Sequence, residues 1–244
     1  MMQLLMRPKK TMDLGKHGEE SIENSEELTP VDFQLDWATA EKGSVVGFGT
    51  STVSTLLSDI GVELQSFDYF DEIVLFIHAE HVLSTTKILP GKNASQIKKA
   101  LPFALEEGLT EDIENFHIAT DTIKPGSPIR CRIIKHGDLA RWKRSFNAFN
   151  VPCDLMSVES DLLEEEVGVC SLEFKKEEVL VSTEGTNALV LREQLSGMMH
   201  TLACTRIVCR GGELTEIEKS QLPNDAVIEN HEVGDQPEIF KAFL

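Results

Sequence analysis

Glu72–His78, reading EIVLFIH, restricts the fold more than any other stretch. The run is almost unbroken in apolar side chains, far too short to cross a membrane, and bounded by polar residues. A strand of that composition is covered on both faces, so the sheet that contains it needs layers above and below. Neighbouring patterns supply candidates. Val31, Phe33, Leu35 and Trp37 alternate with polar residues, the period of a half-buried strand. Ser44–Phe48 can pair with that strand as a hairpin through Glu41–Gly43. Thr50–Ile60 carries Val53, Leu56, Leu57 and Ile60 at helical spacing, closed by Gly61. Val82–Leu89 reads as another strand, and Phe116–Thr122 and Ile129–Ile134 as strands flanking a Lys124–Pro128 turn.

The second half repeats the alternation. Asp138–Phe149 places Leu139, Trp142, Phe146 and Phe149 on one helical face. Val167–Phe174, Glu178–Ser182 and Ala188–Leu191 read as a three-stranded meander with turns at Lys175–Lys176 and Gly185–Thr186. A helix over Gln194–Leu202 and a strand over Thr205–Cys209 follow; the tail after Gly212 is acidic and poorly patterned. No internal repeat is legible. The elements describe an α/β (α+β) chain of two lobes, 31–135 and 136–244. Residues 11–30 are polar, acidic and aperiodic, so 1–30 is expected to be a flexible N-terminal segment.

Charge narrows the partners. Of 244 residues, 23 are basic and 41 acidic, a net charge of −18. Such a surface repels phosphate backbones and anionic lipid, which disfavours nucleic acid and membrane surfaces and favours a basic protein partner. The same acidity also serves solubility alone. The five cysteines, Cys131, Cys153, Cys170, Cys204 and Cys209, form no CxxC. Their scatter argues against both a disulfide framework and a zinc site, and for buried apolar thiols in a reducing compartment.

Leu89–Ala119, LPGKNASQIKKALPFALEEGLTEDIENFHIA, says most about function. Asn93 and Gln96 form a capping box that opens a helix bearing Ile97, Ala100, Leu101, Ala104 and Leu105. Pro102 should kink that helix, or end it at Leu101 and start another. Glu106, Glu107, Glu111, Asp112 and Glu114 then follow without a Lys or Arg between Leu101 and Ile123. The pattern LPGxxxxQxxxALPFxLEExLxEDxExxHxA closely resembles the cytoplasmic region of the type II secretion system protein L (GspL) family. The surrounding element order extends the resemblance over about Val31–Leu244. The family's Pro–Asp–x–Leu step is here Glu159–Ser160–Asp161–Leu162, without its proline.

The resemblance implies an actin-like (ribonuclease H-like) fold with mixed sheets and flanking helices. It also implies the cytoplasmic part of an inner-membrane platform protein, whose membrane span lies outside this chain. By the same resemblance that part is expected to bind the N-terminal domain of the secretion ATPase GspE, alongside the platform proteins GspM and GspF and a second copy of itself. Neither enzyme activity nor a cofactor is expected.

An actin-like fold raises the alternative of an active ATPase or kinase, which needs glycine-bearing phosphate loops and carboxylates for magnesium. Asp13–Leu14–Gly15 has the first pattern but lacks a preceding strand in this reading. Gly47–Thr52 could hold an anion at a helix start, but reads better as a strand-to-helix turn capped by Thr50 or Ser51. Ile207–Gly212, IVCRGG, resembles an adenosine loop, though a strand ending in Gly-Gly is common. A fold of this kind without a functional nucleotide site is the expectation. A PilM-like pilus-assembly protein is a further alternative, which would also act by docking. His78 and His81 amount at most to half a metal site, and His117 reads as a partly buried structural residue.

The candidate docking residues are Glu106, Glu107, Asp112 and Glu114 in the motif, and Asp161, Leu162, Leu163, Glu164, Glu165 and Glu166 further on. The second group pairs two leucines with four carboxylates. It is either an apolar patch rimmed by charge that seats a partner, or an amphipathic turn over its own core.

Overall fold

The EIVLFIH stretch becomes a strand whose residues from Ile73 to Ile77 are all buried. In the computed structural model, residues 1–9, 30–61, 66–163, 166–184, 186–199, 201, 204–231 and 240 are described. The first half contains β1 (Met2–Pro8), β2 (Gln34–Glu41), β3 (Ser44–Thr52), α1 (Leu56–Ile60), β4 (Glu72–Ile77) and β5 (Val82–Lys87). Next come α2 (Ala94–Glu106), β6 (Phe116–Thr120), β7 (Ile129–Lys135), α3 (His136–Ala148) and β8 (Leu155–Val158). The remainder comprises β9 (Val169–Phe174), β10 (Glu178–Thr183), β11 (Thr186–Leu191), α4 (Leu195–Met199), β12 (Arg206–Arg210), α5 (Glu216–Ser220) and β13 (Val227–His231).

Two compact units emerge, and neither is contiguous in sequence. The first takes Met1–His78, Ala140–Glu164 and His231–Leu244; the second takes Ala79–Leu139 and Glu165–Asn230. The chain leaves the first unit after β4, builds elsewhere, and returns within α3. The expected cut between 135 and 136 therefore falls inside the second unit, because hydrophobic period says nothing about such an excursion.

The first unit holds a five-stranded sheet ordered β3-β2-β1-β4-β8. β1, β2 and β3 are successive antiparallel neighbours, while β4 returns parallel to β1 and β8 parallel to β4. Its central strand is β1, whose Leu4, Leu5 and Met6 are fully buried. This corrects the expectation for residues 1–30: Met2–Pro8 is a core strand, so the objection that no strand precedes Asp13–Gly15 falls, while Asp13–Gly15, like all of 10–29, lies outside the described residues. Five apolar side chains are too few for a membrane signal but enough for a central strand. α3 contributes Trp142 and Phe146, both buried, which meet Phe33 edge-on at ring-centroid distances of 5.2 and 5.6 Å.

The second unit holds two sheets. One is ordered β11-β10-β9-β12-β13, with β9, β10 and β11 the antiparallel meander and β12 parallel to β9. Its strand order is that of the first unit's sheet, numbered from its own first strand. This 3-2-1-4-5 arrangement is ribonuclease H-like, and its occurrence once in each unit is the actin-like pattern. The chain thus carries an internal repeat of topology that leaves no repeat of letters. The other sheet, β5-β7-β6, is antiparallel. Ile97, Leu101 and Leu105 of α2 pack with Ile129, Cys131 and Ile133 of β7. Burying each such side chain contributes roughly 1.5–3 kcal/mol, which holds α2 to its sheet.

Candidate functional site

Parallel strands in open α/β sheets gather chemistry at their carboxyl ends. In the first unit those ends belong to β1, β4 and β8, and they carry Arg7, His78 and Glu159. The Arg7 guanidinium donates through Nε at 3.1 Å and Nη2 at 2.9 Å to one oxygen of Glu159. His78 Nδ1 lies 3.5 Å from the other oxygen. All three side chains are buried, Glu159 completely. A charged pair from the chain itself thus fills these strand ends. His81, the other half of the imagined metal pair, instead faces Glu80 at 3.3 Å. No cluster of metal-ligating side chains occurs among the described residues.

The glycine patterns have packing explanations. Gly47 and Gly49 lie inside β3, not in a turn before a helix, so the expected cap at Thr50 or Ser51 does not form. A Cβ on Gly49 would fall 2.7 Å from the Trp37 ring, and one on Gly47 would fall 2.7 Å from Thr39 Oγ1. The glycines make room for the neighbouring strand. After β12, Gly211 takes a left-handed φ of 76°, and a Cβ on Gly212 would stand 2.8 Å from Phe174. The Phe174 ring also receives the Arg192 guanidinium at 4.4 Å, and Arg192 is bound to Glu218 at 2.9 Å. The five thiols are all displaced upward by burial, Cys153 and Cys209 each to about 11. None is a ready nucleophile or metal ligand at neutral pH.

The acidic motif is arranged differently. Asn93 accepts the Gln96 amide at 2.9 Å, as the capping box requires. Gln96 reaches back to the amide of Lys92 at 3.2 Å, one residue earlier than the pattern implies. Gly91 lets the entry loop close on Ile97, where a Cβ would sit 2.5 Å away. α2 then runs through Pro102 without ending. Ile97, Leu101 and Leu105 face the sheet, which leaves Phe103 72% exposed. Glu106 and Glu107 are exposed at the carboxyl end of α2, where the helix dipole disfavours negative charge. Asp112 and Glu114 are exposed beyond them. Among the described residues none of these four has an ion-pair partner, whereas nearby Glu111 is bound by Lys135. His117 is exposed, not partly buried, with its ring edge-on to His136 at 6.2 Å.

Of the two readings of the second acidic group, the leucine pair fits the amphipathic turn over its own core. Leu162 and Leu163 are buried at 1% and 5% exposure, so the leucines belong to the core. Asp161 turns back to Ser157 Oγ and the amide of Val158. Glu166 is exposed, 3.7 Å from Arg206, while Glu164 and Glu165 lie outside the described residues.

Comparison with known proteins decides what such a chain is. A family model for type II secretion system (T2SS) protein L matches residues 31–239. The chain belongs to that family. The cytoplasmic domain of EpsL, an inner-membrane component of the type II secretion system of Vibrio cholerae, has a similar structure, with a TM-score of 0.67. The match covers 100% of this chain and 95% of that one at 13% identity, which speaks for a shared fold. The PilM–PilN type IV pilus biogenesis complex matches at 9% identity and TM-score 0.49, over 69% of this chain and 62% of that one. A Bacteroides thetaiotaomicron protein of actin-like ATPase fold and unknown function matches at 9% and 0.42, over 94% and 90%. No curated protein is similar enough in sequence to match. Among the described residues no helix is long and apolar enough to cross a membrane.

Arg7, Glu159 and Phe103 escape the sequence reading. Phe103 was within reach, because it falls off the Ile97, Leu101, Leu105 stripe and must therefore face away from the sheet. Nothing in the sequence joins Arg7 to a glutamate 152 positions later.

Proposed function

We propose that this chain is a docking domain on the cytoplasmic face of a type II secretion inner-membrane platform, where it recruits the N-terminal domain of the ATPase GspE. The observation that carries this reading is the carboxyl end of α2. An exposed aromatic, Phe103, stands beside Glu106 and Glu107, which lack ion pairs among the described residues and oppose the helix dipole. Carboxylates kept there at a local cost suit a partner with basic residues around an apolar socket, with Asp112 and Glu114 steering its approach. Of the second acidic group, only the carboxylates can take part. The platform proteins GspM and GspF are further partners on the same reading.

The domain performs no nucleotide chemistry of its own. The Arg7–Glu159 pair occupies the strand ends, and the Gly-Gly after β12 is tied to Phe174, both of which support this. Magnesium–ATP should leave the melting temperature unchanged, whereas calorimetric titration with the GspE N-terminal domain should give a saturable isotherm. A clear rise in melting temperature with magnesium–ATP would favour the ATPase alternative.

A further inference from the structure

α2 and the loop that leads into it carry their charges the wrong way round for a helix. In a chain with 41 acidic residues, Val82–Leu105 contains no Asp or Glu and holds Lys87, Lys92, Lys98 and Lys99. The first turn of α2 has no acidic residue and its last turn no basic one. Helices are stabilised by the reverse arrangement, acids at the amino end and bases at the carboxyl end. Lys92, Lys98 and Lys99 are exposed, and among the described residues none of the three makes an ion pair.

The helical period gathers part of this charge on one ridge. Ile97, Leu101 and Leu105 face the sheet, so the opposite side of α2 is formed by Gln96, Lys99, Phe103, Glu106 and Glu107, all exposed. Lys99, Phe103 and Glu106 stand at i, i+4 and i+7. A base, an aromatic ring and an acid thus succeed one another over roughly 10 Å of helix.

We infer that this ridge takes an amphipathic helix of the partner running parallel to α2, with acidic residues over Lys99, apolar ones around Phe103 and basic ones over Glu106 and Glu107. The inference rests on the docking reading above and adds to it the partner's element and its direction. Charge decides between the two directions. A helix of ordinary charge placement has acids near its start and bases near its end. Laid parallel to α2, it brings its acids to Lys99 and its bases to Glu106 and Glu107. Laid antiparallel, each end meets its own sign, and that repulsion excludes the reversed pose. The two helix dipoles pull the other way. Each dipole end, however, amounts to about half a unit charge and fades within a turn, against whole charges on the side chains. The side chains win.

Exchanging the two ends of the ridge tests the direction. Lys99→Glu combined with Glu106→Lys keeps the net charge at −18 and moves the lysine to the end the helix dipole favours, with melting temperature confirming the fold. In calorimetric titration with the GspE N-terminal domain, its affinity should fall roughly tenfold or more below the parent's. Zero-length carbodiimide coupling of the parent complex, mapped by mass spectrometry, should join Lys99 to a partner carboxylate and Glu106 or Glu107 to a partner lysine. The carboxylate should precede the lysine in the partner's sequence by about seven residues, the helical spacing. A swapped variant that binds as tightly as the parent overturns the inference and leaves the docking reading standing. The reverse order of coupled residues does the same, as does a spacing of about three, which marks an extended segment. A parent that does not bind the GspE domain overturns both.

Discussion

Glu159 is fully buried and bonded to a buried guanidinium, so its removal is costly in one direction only. Glu159→Gln leaves the Arg7 charge without its counterion and should lower unfolding free energy by about 3–5 kcal/mol in urea titration. The double variant Arg7→Met with Glu159→Leu removes both charges and should recover most of that loss. Its full recovery would show that the pair serves arrangement more than stability. Gly49→Ala should also destabilise, because its Cβ would meet the Trp37 ring at 2.7 Å. Cys209 gives a pH signature. Burial raises its pKa from 9.0 to about 11, so above pH 9 the unfolded chain releases a proton that the folded chain retains. Stability from this group is complete below pH 9 and falls by up to about 1.4 kcal/mol per pH unit between 9 and 11. Cys209→Ala should flatten that slope relative to the parent, measured by urea unfolding at several pH values.

Elements with a strong local period were legible in the sequence, and those that depend on distant partners were not. α2 is the clearest success: its cap, its stripe and the acidic run after it were all visible, and Asn93→Ala should cost about 1 kcal/mol in unfolding. α3 was equally plain, since Trp142 and Phe146 share a face. β1 was hidden because its apolar run is short and followed by Arg7, Lys9 and Lys10, which read as polar punctuation. β8, α5 and β13 were missed for the same reason, each being only four or five residues long. Their identity comes from the strands beside them. Gly47 and Gly49 mislead in the opposite way: glycine suggests a turn, but close packing against Trp37 and Thr39 also demands it. Leu162 and Leu163 show the limit for the candidate site. A leucine pair among carboxylates is equally a core turn or a patch until burial decides, and burial chose the core.

At the scale of the whole molecule, family membership rests on residues 31–239, and the fold repeats one strand order in two units. The repeat was invisible in sequence because topology constrains where strands lie, not which apolar side chains fill them. The proposed docking role rests on surface chemistry, above all at the carboxyl end of α2. The most direct test titrates the GspE N-terminal domain calorimetrically into the parent and into a Glu106→Lys, Glu107→Lys, Phe103→Ser variant. Because all three side chains are exposed, and lysines suit the helix dipole where glutamates oppose it, the variant should fold with a melting temperature no lower than the parent's while affinity drops by about a hundredfold or more, a loss that shrinks as salt rises. Equal affinity of the folded variant and the parent would contradict the account.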